Sequence, residues 1–132
     1  MSAANQQPVR ISSGGRWEDT IGYSRAVVAG PFVFVSGCTS TVDGQVVHEG
    51  DAYAQALEAF GVARRALEQA GGSLEQVIQT RMYVVGMAHS DDVGRAHKQL
   101  FDHVRPAATM VSIAGAIDPM MLVEVEVTAY LP

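Results

Sequence analysis

Two stretches of this chain place apolar side chains on both faces of an extended backbone, and no other feature constrains its fold as much. In FVFVS, Phe32 and Phe34 would point one way and Val33 and Val35 the other. Further on, Val111 and Ile113 oppose Met110, Ser112 and Ala114, because successive side chains alternate across a strand. A sheet of such strands needs cover on both sides. The chain has 132 residues, enough for one domain, and only two long stretches with helical spacing. Two helices can cover one face of a sheet. The apolar face left over is expected to meet another copy of the chain.

The order of elements follows from local signals. Residues 1–8 read as a flexible tail, and a single domain runs from 9 to 132. Arg25 to Ala29 and Phe32 to Ser36 are β-rich runs joined by Gly30-Pro31, so they form a hairpin. Asp43-Gly44 marks a second tight turn between two short strands. Asp51 to Ala70 is the first helix, with Tyr53, Ala56, Leu57, Phe60, Ala63 or Arg64, and Leu67 at helical spacing and Gly71-Gly72 as its stop. Gly61 lies inside it, at a cost of about 1 kcal/mol relative to alanine, and a backbone passing close by would explain it. Ser73 and Gln76 form a possible capping box, and Val77 to Val85 is a strand. The second helix carries Val93, Ala96, His97, Leu100, Phe101 and Val104 on one face, with Ser90, Asp91 and Asp92 as capping groups. Arg105-Pro106 stops it. Strands over Thr109 to Ala114 and Met121 to Tyr130 follow, with Asp118-Pro119 turning between them. The expectation is an α+β fold: one mixed sheet with two helices on one face.

Composition removes whole classes of function. Hydrophobic residues make up 48% and charged residues 17%, too apolar for a disordered chain. No apolar run is long enough to cross a bilayer, and MSAANQQPVR lacks the pattern of an export signal. The one cysteine, Cys38, excludes an internal disulfide and fits a reducing, cytoplasmic setting. A net charge of −5 without a basic cluster argues against nucleic acid as the main partner. His48, His89, His97 and His103 show no metal-ligand spacing, so no metal is expected, and His97 on its apolar face reads as a core histidine. Ser13-Gly14-Gly15 is not followed by the Lys-Ser/Thr of a phosphate loop.

Three segments carry a resemblance to a known family. They are IGYSRAVVAGPFVFVSG (Ile21 to Gly37), ALEQAGGSLEQVIQTRMYV (Ala66 to Val84) and RPAATMVSIAGAIDPMMLVEVEVTAY (Arg105 to Tyr130). In that order and spacing they resemble the opening hairpin, double-glycine loop and C-terminal signature of the Rid (YjgF/RidA-like) family, over nearly the whole chain after about residue 17. The resemblance implies a chorismate-mutase-like fold assembled as a homotrimer, with three small-molecule clefts between subunits. Its best-characterised members hydrolyse reactive enamines and imines, such as 2-aminoacrylate, to a keto acid and ammonia, without metal or organic cofactor.

The resemblance also proposes site residues. Glu124, the first acid of VEVE, matches the family's glutamate that handles the catalytic water, and Glu126 lies two residues on, facing the same way. A plainer reading pairs one or both acids with Arg81. Tyr23 matches the pocket tyrosine, and Ser36 with Gly37 matches the Ser-Gly pair that contacts ligand. Ser36 could instead satisfy a local backbone group. Cys38 follows that pair and would line the pocket mouth, although a thiol with no histidine or basic cluster nearby reads as inert. Ala108 and Thr109 complete the substrate-binding set, and here the chain departs from the family. Deaminating members carry an arginine after Pro-Ala that clamps the substrate carboxylate; this chain has Ala108, and the loop from Ala114 to Met121 is about one residue longer than usual. Loss of a bidentate contact of that kind costs on the order of 2–5 kcal/mol for an anionic substrate. The expected substrate is therefore not 2-aminoacrylate, unless Arg16 or Arg25 supplies the charge from another direction. Three readings compete: an imine or enamine deaminase, a non-catalytic binding or regulatory trimer of the same fold, and a chorismate-processing enzyme, which would want several pocket arginines.

Overall fold

The computed structural model describes residues 7–132. The first six residues of the expected tail lie outside them. Val9–Ile11 (β1) is already a strand, paired with Ala26–Ala29 (β2). Gly30, at φ 59°, turns the chain into Phe32–Cys38 (β3), and Ala29 opposes Phe32 in the expected hairpin. The Asp43-Gly44 turn joins Thr41–Val42 (β4) to Gln45–Val46 (β5). Both turn residues have positive φ, 51° and 79°, as a tight two-residue hairpin turn requires.

Helix Ala52–Gln69 (α1) is capped by Asp51, whose side chain accepts from the Ala54 N–H at 3.0 Å. Of the two residues left open at one position, Ala63 faces the core and Arg64 faces out, 3.6 Å from Glu68. The expectation for Gly61 fails: a Cβ there would meet only the ends of the Arg65 and Glu58 side chains, at 3.7 and 3.9 Å, and no backbone. The Ser73–Gln76 capping box forms and leads into Val77–Val84 (β6).

Helix Ser90–Phe101 (α2) starts three residues earlier than its apolar spacing indicates, so Ser90, Asp91 and Asp92 lie in its first turn. No side chain caps it; the two aspartates act there only as negative charge near the positive helix end. The helix ends at Phe101, and Arg105 reaches φ 57° before Pro106. Ala107–Ser112 (β7) therefore begins two residues before Thr109. Val123–Tyr130 (β8) closes the sheet after a turn in which Met120 N–H donates to Asp118 Oδ1 at 2.8 Å.

The six-stranded sheet runs β1-β2-β3-β8-β6-β7, antiparallel except for β6 and β7, which pair in parallel across α2. Both helices pack on one face. There Val33, Val35, Met82, Val84, Val123, Val125, Val127 and Ala129 are buried against Ala56, Phe60, Leu67 and Phe101. His97 belongs to this core: it lies 4.8 Å from the Phe101 ring and its Nε2 is 2.8 Å from Thr80 Oγ1. Gln55, a polar residue that the apolar spacing does not single out, is fully buried and holds the Met120 carbonyl and the Leu122 N–H. Among the described residues nothing covers the other face. Phe32, Phe34, Val111 and Tyr130 stay 37–48% exposed, and the Phe32 ring touches those of Phe34 and Tyr130 at 6.2 and 5.4 Å.

Candidate active site

A β-bulge builds the site. The β3–β8 register shifts between Val35 and Cys38, so Ser36 and Gly37 have no ladder partners where Val35 opposes Val127 and Cys38 opposes Val125. Glu124 lies against this gap. A Cβ on Gly37 would sit 2.8 Å from the Glu124 carboxyl carbon, so glycine is what lets the acid lie flat on the strand. Such bulges serve to re-aim side chains near functional sites.

Around the bulge opens a cleft of ≈ 1240 Å³. Tyr23, Ser36, Gly37, Cys38 and Glu124 all line it, together with Arg25. Its walls come from the β4–β5 hairpin, the outer side of α1 and the segment from Ser13 to Ile21. That last wall is held by Glu18, which is 5% exposed and accepts from Ser13 Oγ at 2.6 Å, Ser13 N–H at 3.2 Å and Gly15 N–H at 3.1 Å. Burial pushes its carboxyl up, but hydrogen bonds from Ser13, Ser12 and Gly15 outweigh that and hold it below the ordinary carboxylate value. The fold thus places five of the seven residues proposed from the sequence in one cleft.

Each of the five has a defined state. Burial, and next the neighbouring Glu126 charge, raise the Glu124 carboxyl above its ordinary value, while Arg25 works against them. Glu126 does not share the cleft. It accepts from the Tyr83 hydroxyl and lies 3.7 Å from Arg81 Nη1, so the pairing with Arg81 holds for Glu126, and Glu124 is in none of the ion pairs among the described residues. The Ser36 hydroxyl is turned to the Ser24 and Arg25 carbonyls at 3.0 and 3.1 Å, which ties the hairpin end together. Cys38 is 1% exposed, and burial pushes its thiol up to about 11. A neutral thiol donating to the Ser36 carbonyl at 3.2 Å is packing rather than a nucleophile. Tyr23 is half-buried, with the Arg25 guanidinium 5.7 Å from its ring centre.

Ala108 and Thr109 are elsewhere. They lie on β7, three strand positions from β3, about 14 Å away at sheet spacing. Both are exposed and neither lines the cleft of its own chain. Arg25 comes out of the fold more prominent than the sequence makes it. It is 8% exposed, and its Nη1 donates to the Ser36 and Gly37 carbonyls at 3.2 and 2.6 Å. The signal in the sequence is faint: one arginine opening a run of small apolar residues.

Comparison with known proteins identifies the family. A family model described as endoribonuclease L-PSP matches residues 16–131. SCO2049 of Streptomyces coelicolor is 46% identical over 121 residues, which cover 92% of this chain and 90% of that protein. The protein of Acinetobacter baylyi named 3-aminoacrylate deaminase RutC is 30% identical over 110 residues, 83% of this chain and 86% of its own. Among solved structures, Rv2704 of Mycobacterium tuberculosis, a member of the YjgF/YER057c/UK114 family, matches with a TM-score of 0.85 at 39% identity, over 95% of this chain and 100% of that one. On sequence and fold together, the chain belongs to the YjgF/RidA family.

Proposed function

We propose that the protein is a Rid-type hydrolase that cleaves the C=N bond of a small imine, or of an enamine through its imine form, and releases ammonia. The observation that carries this reading is a half-buried carboxyl, Glu124, raised above its ordinary value and laid on Gly37 at the floor of a cleft. Hydrolysis needs one group that takes a proton from water and gives it to nitrogen. As the water oxygen bonds to the imine carbon, the C=N electron pair moves to nitrogen and Glu124 takes the water proton. Water addition to the protonated imine leaves a neutral amine; the same carboxyl then protonates it, the C–N bond breaks with its electron pair leaving on ammonia, and the hydroxyl collapses to a carbonyl as its proton passes back to the Glu124 carboxylate. A carboxyl whose pKa lies closer to neutrality serves both halves better. Tyr23 would wall the cleft, and the Ser36 and Gly37 backbone would contact ligand.

The family relative named 3-aminoacrylate deaminase supports an enamine as the class of substrate. Alanine at 108 leaves no guanidinium fork at that position, so a substrate carboxylate such as that of 2-aminoacrylate would have to be held by another group. We further propose that the uncovered aromatic face is buried in a homotrimer, with Ala108 and Thr109 of one copy meeting the cleft of the next.

The second reading, a binding or regulatory trimer without turnover, is favoured by the same alanine. An amino-acid oxidase that generates short-lived imino acids from a panel of amino acids separates the two, with semicarbazide as a competing trap. The hydrolase reading expects less semicarbazone when the protein is present, for at least one side-chain class. Unchanged trapping across the panel supports the binding trimer. Cleavage of RNA by the purified protein would favour the activity after which the family model is described.

A further inference from the structure

Three arginines line the cleft: Arg16, Arg25 and Arg65. Arg16 and Arg65 are exposed, whereas Arg25 is buried. A buried guanidinium should have a counter-charge or a full set of acceptors. Arg25 has neither. All the hydrogen bonds its side chain makes among the described residues go through Nη1, to the Ser36 and Gly37 carbonyls and, at 3.3 Å, to Cys38 Sγ. None of the ion pairs among those residues includes it. Its Nε is the only buried side-chain nitrogen or oxygen among the described residues that has no hydrogen-bond partner. Such orphans in a native structure call for a cause.

We propose that Arg25 is the anion-reading residue of this cleft, binding a carboxylate of the substrate at the part of its guanidinium that borders the cleft, so that specificity for an acid is carried by the cleft floor and not by position 108. This rests on the same cleft as the hydrolase reading, and it assigns the cleft's ligand class: a small acid with its reacting carbon turned towards Glu124. Arg25 is fixed for this role. Its two carbonyl partners hold the guanidinium before any ligand arrives, so little side-chain freedom is lost on binding. Glu124 lies near enough to feel the Arg25 charge, but it leaves that charge unpaired. With a volume of ≈ 1240 Å³, the cleft has room for a substrate with a large side chain.

Calorimetric titration of the intact protein with pyruvate and with phenylpyruvate, each beside its methyl ester, tests the assignment without any turnover. At least one acid should bind about 30-fold or more tighter than its ester, the loss typical of an unpaired charge in a buried site. Arg25→Gln should abolish that preference, Arg25→Lys should keep part of it, and Arg65→Gln should leave it intact. Should Arg25→Gln fail to fold, the lysine variant decides, because an equal preference in Arg25→Lys and wild type removes the need for a guanidinium. Equal binding of acid and ester by the wild type, no binding of either acid, or a preference that survives Arg25→Gln overturns the proposal. A protein that prefers acids through Arg25 yet leaves semicarbazone yields unchanged would keep the anion site and lose the hydrolase.

Discussion

At the scale of the residue, Glu124 carries opposing demands. The strand pattern places it two residues from Glu126, on the face that the helices leave open, and the bulge at Gly37 folds it into the cleft. Burial and the Glu126 charge together make its ionised form unfavourable. The folded protein therefore holds this proton more tightly than the unfolded chain does. Below the unfolded value the carboxyl is protonated in both states and costs nothing. As pH rises past that value and through the raised folded value, ionisation favours the unfolded chain. Glu124→Gln keeps the neutral form, so its urea midpoint should exceed that of the wild type at about pH 7, with the gap closing towards about pH 4. Equal midpoints at pH 7 would mean that the acid is not strained. Cys38 is the quieter case, since its thiol, pushed up to about 11, stays protonated at neutral pH.

At the scale of the element, the strands and helices were readable because their apolar periods are clean. FVFVS and VEVEV alternate, and both helices repeat at helical spacing. What misled was local chemistry that tertiary contacts override. Ser90, Asp91 and Asp92 look like caps, yet the helix starts within them, behind the short turn Met87–His89. Gly61 suggested a close backbone, but α1 packs through its small residues Ala56, Ala59 and Ala63 on another face. The bulge at Ser36-Gly37 left no mark in the alternation, because its one extra residue shows only once the partner strand is known. For that reason Tyr23, Ser36, Gly37, Cys38 and Glu124 were nameable through the family motif, while their convergence was not. Arg25 could be named but not ranked: its burial depends on carbonyls that only the bulge presents.

At the scale of the whole molecule, the apolar face without a helix is the largest unmet demand. Phe32, Phe34 and Tyr130 form one aromatic patch on it, and Val111 adds to the same face. Light scattering should find an assembly of three 14.0 kDa chains, and Phe34→Asp should shift the mass towards one chain. A monomeric wild type would leave Ala108 and Thr109 on β7, two strands from Glu124 and three from Ser36, and remove them from the site. The account as a whole turns on whether Glu124 moves protons for C=N hydrolysis. The most direct measurement times ammonia release from freshly generated imino acids with wild-type protein and with Glu124→Gln. The expected result is release faster than in buffer with the wild type, and a loss of about 10²–10⁴-fold in rate with the folded variant. Equal acceleration by both proteins would contradict the account.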